Sequence, residues 1–100
     1  MKARHNMGII EALAGSSDDA ELNFIEALRL GRVVNDEPFV AEALGSLAEL
    51  ACMRGRYDEG VGYVSEAIVI DRRLGTPHLE YVEEISRRID ARAVGDDCTP

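Results

Sequence analysis

The sequence predicts an all-α fold made of repeated helix pairs, and three observations carry that expectation. The first is self-similarity. Gly15-Ser16-Ser17-Asp18-Asp19-Ala20, followed by Glu26-Ala27-Leu28-Arg29-Leu30, returns as Gly55-Arg56-Tyr57-Asp58-Glu59-Gly60, followed by Glu66-Ala67-Ile68-Val69-Ile70. One ungapped offset, that from Gly15 to Gly55, also lays Met7, Ile10 and Leu13 on Leu47, Leu50 and Met53. A period of roughly 20–50 residues marks a solenoid architecture. The second is composition: 46% of the chain is hydrophobic but only 5% is aromatic, with no Trp. Ala, Leu and Glu predominate, and these are strong helix formers. The third is spacing, since apolar residues recur at steps of three and four between glycine-marked breaks.

The first helix is expected over about 3–14, with Ala3, Met7, Ile10 and Leu13-Ala14 on one face. Gly15 closes it, because glycine adopts the left-handed conformation that ends a helix. Ser17 or Asp18 caps the second helix, with Asp18 and Glu21 as an acidic capping box. Helix two runs to about Val33 or Val34. Its apolar residues form two stripes, Ala20, Phe24, Ala27 and Leu28 beside Leu22, Ile25 and Leu30, so it should pack on two sides. Asp36 or Glu37 then caps a third helix over about 38–54. Pro38 stands at its start, where the missing N–H is harmless. Gly55 ends that helix. A fourth follows over about 57–74, turning Val61, Val64, Ala67, Ile68 and Leu74 inward, with Gly60 and Gly62 as points of close helix approach. Gly75, Thr76 and Pro77 read as stop, cap and start. Helix five, about 77–93, has one apolar stripe of Leu79, Val82, Ile85, Ile89 and Ala93 and a charged remainder, the pattern of a terminal cap. Residues 95–100 lack periodicity and are expected to be a disordered tail.

One hundred residues make one modest domain, here 1–94. The net charge of −8 argues against nucleic acid or an anionic membrane as partner, since both call for cationic surface. No run approaches the ~18 apolar residues of a membrane span. The start Met1-Lys2-Ala3-Arg4 leads only to Ile9-Ile10-Glu11, which is no signal-peptide core. Cys52 and Cys98 do not make a disulfide framework, and a reducing, cytoplasmic setting is expected.

Two helices per unit, small residues at fixed points and a turn at Gly55-Arg56-Tyr57-Asp58-Glu59 resemble the tetratricopeptide repeat family. Met7-Gly8 and Leu47-Ala48 fill that family's first-helix pair, and Gly15 and Gly55 its turn. Tyr57-Asp58-Glu59-Gly60 and Ser17-Asp18-Asp19-Ala20 open the second helices, and Ala27-Leu28 and Ala67-Ile68 close each unit. The period exceeds the usual one of about 34 residues. Arg32 and Arg72 replace the common closing proline, which resembles the longer variant of kinesin-light-chain-like repeats and large bacterial regulators. The resemblance spans about residues 3–93. It implies a right-handed α-solenoid of antiparallel helix hairpins, units 3–37 and 38–76, with a capping helix 77–93. It also implies a concave groove lined by first helices. Carried over by position, the groove residues are Lys2, His5, Ile9, Ala12 and Leu13, then Glu42, Gly45, Glu49, Cys52 and Met53. Cys52 and Met53 would suit an apolar anchor, Glu42 and Glu49 a basic one.

No catalytic constellation is readable. His5 and His78 lack an acidic or Cys partner at ligand spacing, and Ser46 lacks a base nearby in sequence. The carboxylates fall on helix faces expected to be solvated, and no cofactor or metal is implied. The function expected is therefore that of a non-catalytic module binding a peptide or protein segment, either a small adaptor or the C-terminal end of a longer repeat array. The rival expectation is self-association through the exposed first helix, because two units and a cap fall short of the roughly three repeats such arrays need.

Overall fold

The computed structural model describes residues 2–98, with side chains through Arg92. It consists of five helices: α1 (Lys2–Leu13), α2 (Ser17–Val33), α3 (Glu37–Met53), α4 (Tyr57–Leu74) and α5 (His78–Cys98). No strand occurs among the described residues. The breaks fall where the sequence places them. Gly15 and Gly55, equivalent under the repeat, both turn the chain at positive φ, 87° and 75°, a conformation that a side chain would strain. Asn35 does the same at 57° before α3; Asn is among the side chains that tolerate this region. Helix α5 continues to Cys98, past the expected stop near Ala93, and residues 99 and 100 of the expected tail lie outside the described residues.

Each helix packs on the next in sequence, and α1, α3 and α5 also touch in series. Helices α2 and α4 do not pack backbone to backbone, but Arg32 of α2 reaches across to both carboxylate oxygens of Glu66 on α4, at 2.9 and 3.1 Å. The molecule measures 46 × 32 × 18 Å, so its thin dimension is under two full helix diameters of about 10–12 Å. Helix α3 is the centre, with eleven of its residues buried, Phe39, Leu44 and Leu47 among them. Ala20, Phe24 and Leu28 of α2 meet it on one side, and Val64, Ala67 and Ile70 of α4 on the other. The predicted α5 stripe lands in the same core through Val82, Ile85 and Ile89.

Small residues make these approaches possible. A Cβ on Gly60 would sit 3.0 Å from Ile89 Cδ1, and one on Gly8 would sit 2.6 Å from Phe24 Cε1. Gly62, also expected at a close approach, faces open space. Three further expectations are corrected. Val61 and Leu74 are exposed instead of inward. Leu22 and Ile25, the second stripe of α2, are likewise uncovered, since the helices packed closely on α2 are α1 and α3 and neither covers that stripe. The Asp18–Glu21 capping box does not form. The N-cap of α2 is Ser16, without a side-chain cap bond, and both carboxylates instead accept from Arg54 at the end of α3, at 2.7 and 3.3 Å. The cap expected on α3 does form, Asp36 Oδ1 accepting from the Phe39 N–H at 3.2 Å.

Candidate functional site

Where α1, α3 and α5 run side by side they leave a shallow cleft of about 140 Å³. It is lined by Ile9, Ala12, Phe24, Ser46, Glu49, Leu50, Met53 and Tyr81. Periodicity explains the lining. Ile9 and Ala12 lie three apart on α1, and Ser46, Glu49 and Met53 follow at three and four on α3, so each set shares a helix face. The floor is apolar and closed by Phe24 and Leu50, both buried. Ile9, Met53 and Tyr81 stay partly exposed at the rim.

Of the residues the family resemblance assigns to a groove, the structure brings Ile9, Ala12, Glu49 and Met53 to this cleft. Lys2 and Leu13 are exposed at opposite ends of α1, outside the lining. Glu42 lines a separate depression with Pro38, Asp71, Thr76, Pro77 and His78. Gly45 is covered by α5, with Val82, His78 and Tyr81 within 3.2–3.3 Å of where its Cβ would be. Cys52 is only 4% exposed and cannot serve as an anchor that a ligand touches. It packs inward because the residue before the end of α3 faces the core that α5 completes. Glu49 is not a free basic anchor either. Its Oε1 accepts from the Tyr81 hydroxyl at 2.7 Å and its Oε2 from Arg88 at 2.9 Å. Burial, then the bond to Glu49, pushes the Tyr81 phenol well above its ordinary pKa, so it remains a neutral donor.

Two pairs join helices, one beside the cleft and one in the separate depression, and they give each histidine a partner. His5 Nε2 and Ser46 Oγ are hydrogen-bonded at 2.8 Å. His5 also lies against Phe24 and Phe39, ring centroids 5.5 and 5.7 Å away. Burial depresses its pKa, against the opposing pull of Glu42, so the neutral imidazole is favoured. A Ser–His pair is the beginning of a nucleophile, but Ser46 lies in mid-helix. The N–H groups around it belong to the helix ladder and are not free to hold an oxyanion. The pair instead fastens α1 to α3.

The second pair centres on Asp71, the one buried charged side chain among the described residues at 1% exposure. Its Oδ2 meets His78 Nδ1 at 2.6 Å, and its Oδ1 accepts from the Thr76 hydroxyl at 2.9 Å. Its backbone carbonyl accepts from the Gly75 and Thr76 N–H groups. An ionised carboxylate only accepts, so the Nδ1 carries the proton. One side chain thus holds the whole α4–α5 corner, and the hydroxyl of Thr76 faces Asp71 in place of the cap expected of it. The sequence does contain the signal: a carboxylate five and seven residues before a Thr and a His, across a Gly-containing turn.

Among the described residues no group of three or more His, Cys, Asp or Glu could hold a metal ion, and no helix is long and apolar enough to cross a membrane. No family model matches the chain, and neither do curated proteins or solved structures.

Proposed function

We propose that the chain is a non-catalytic interaction module of tetratricopeptide-like repeats, a short right-handed α-solenoid that receives a segment of another protein in the cleft between α1, α3 and α5. The observation that carries this reading is the cleft itself: a closed apolar floor with Ile9, Met53 and Tyr81 open at its rim. Peptide grooves work this way, with apolar contacts giving affinity and a few fixed polar groups giving orientation. The polar groups are Ser46 and the Glu49–Tyr81–Arg88 set. Because Glu49 is already neutralised by Arg88, the segment that fits is apolar, with no requirement for a basic residue at that point. A cytoplasmic setting belongs to the same proposal, and the buried free thiol of Cys52 suits it.

Selection from a displayed peptide library against the immobilised chain tests this. Binders should be rich in apolar residues and should lose about tenfold or more in affinity against Met53→Glu, since an apolar contact of this size is worth roughly 1.5–3 kcal/mol. Selected peptides that bind Met53→Glu and Ile9→Glu as well as the parent would refute the cleft as the binding site.

A further inference from the structure

Helix α1 differs from the other helices in both packing and charge. It has one buried residue, Gly8. Met7, Ile10 and Leu13, at steps of three along one side, are 52%, 63% and 84% exposed. Under the repeat offset Met7 and Ile10 correspond to Leu47 and Leu50, which are 1% and 3% exposed. Met53, the counterpart of Leu13, is 62% exposed, so it is the positions of Met7 and Ile10 that the second hairpin shows to be suited to cover by a neighbouring helix.

Charge indicates which neighbour. Helices α2 and α4 begin with acids and end with arginines: Asp18, Asp19 and Arg32 in one, Asp58, Glu59, Arg72 and Arg73 in the other. That order complements the helix dipole. Helix α1 has no acid in its first turn and no base in its last. It carries Lys2 and Arg4 at the start and Glu11 near the end, opposed to its own dipole. An antiparallel neighbour with the same sequence removes the conflict. Arg4 and Glu11, seven apart on one side of α1, each bond to Asn23 of α2 and have polar atoms left over for a second partner. In the antiparallel pair Arg4 of each copy lies along Glu11 of the other and Lys2 beside its carbonyl end, twice over by symmetry.

We propose that the chain forms a two-fold dimer in which α1 packs antiparallel on α1 of a second copy, with Met7 and Ile10 at the crossing. The pairing is confined to one 12-residue helix of each copy, so the area it buries falls at the lower end for a specific interface, roughly 1,000 Å² in total. Such a dimer is weak and dissociates on dilution. The cleft lies on other residues of α1, so this proposal does not rest on peptide binding and can fail separately from it.

Solution mass across roughly a hundredfold dilution tests it. The expected result is twice the 10.9 kDa of one chain at high concentration, falling toward one chain on dilution. Ile10→Glu should stay monomeric with unchanged helical circular dichroism. A Lys2→Glu/Arg4→Glu variant and a Glu11→Lys variant should each be monomeric alone, and mixing the two should restore the dimer, since each then supplies the end the other lacks. A parent chain that keeps the mass of one chain at the highest concentration overturns the proposal. So does an Ile10→Glu dimer as tight as the parent's, or a pair of charge variants that associate alone as well as mixed. Met53→Glu, which tests the cleft, should leave the mass unchanged.

Discussion

Replacing Asp71 with Ala removes the acceptor that organises the α4–α5 corner. Two side-chain bonds disappear, from His78 at 2.6 Å and from Thr76 at 2.9 Å. Bonds to a charged group contribute about 1.5–3 kcal/mol each. His78 and Thr76 are only half-buried, so water can partly replace what they lose. The net cost should be about 2–4 kcal/mol, in line with removing one partner of a buried pair. For a domain of this length that lowers the melting temperature by roughly 10–30 °C. Thermal melts followed by circular dichroism, with urea unfolding as a check on the free energy, measure it directly. Asp71→Asn keeps one acceptor and should fall between the parent and Ala. A loss below about 0.5 kcal/mol for Asp71→Ala, the range of an ordinary surface change, would show that the carboxylate does not hold the corner.

Two further outcomes follow from the packing and from His5. Gly8→Ala should destabilise by about 1–3 kcal/mol, because its Cβ would sit 2.6 Å from a buried ring. Gly62→Ala, facing open space, should stabilise by roughly 0.5–1 kcal/mol; equal melting points for the two variants would remove the packing distinction. The folded-state pKa of His5 lies below its ordinary value of 6.5, so the unfolded chain binds the proton more readily. Its contribution is complete above pH 6.5 and is lost as pH falls from there through the folded-state value. Melting temperature against pH should therefore bend downward below about pH 6.5, and His5→Phe should flatten that bend. An identical pH profile for parent and variant would place the titration elsewhere.

The helix breaks were legible because each is marked by a residue with a local reason to be there: Gly15 and Gly55 at positive φ, and Asp36 with Pro38 at the start of α3. The α5 stripe was legible because a single period of three and four defines it. What escaped the sequence lies between helices. His5 meets Ser46 across 41 residues and Arg54 reaches Asp18 across 36, separations close to the repeat period. Residues about one period apart become neighbours when successive helices of one kind pack side by side, and that rule would have paired His5 with Ser46. Glu49 read as a free carboxylate because its partners, Tyr81 and Arg88, sit on a helix read only as a cap. Which of Leu22, Ile25, Val61 and Leu74 would be covered could not be read at all. Their exposure depends on how many neighbours each helix has, which periodicity does not encode.

Packing mostly between helices close in sequence has a kinetic consequence. Helix α1 touches α2 and α3 and nothing beyond, so it can detach without disturbing the α4–α5 corner. Structure can grow outward from the α3–α4 hairpin, since the contacts it needs first are close in sequence. Chains of low contact order fold quickly, on a scale of roughly microseconds to milliseconds. The same locality grades the folded state. Amide protons in α3, with eleven buried residues, should exchange through larger openings than those of α1, which has one.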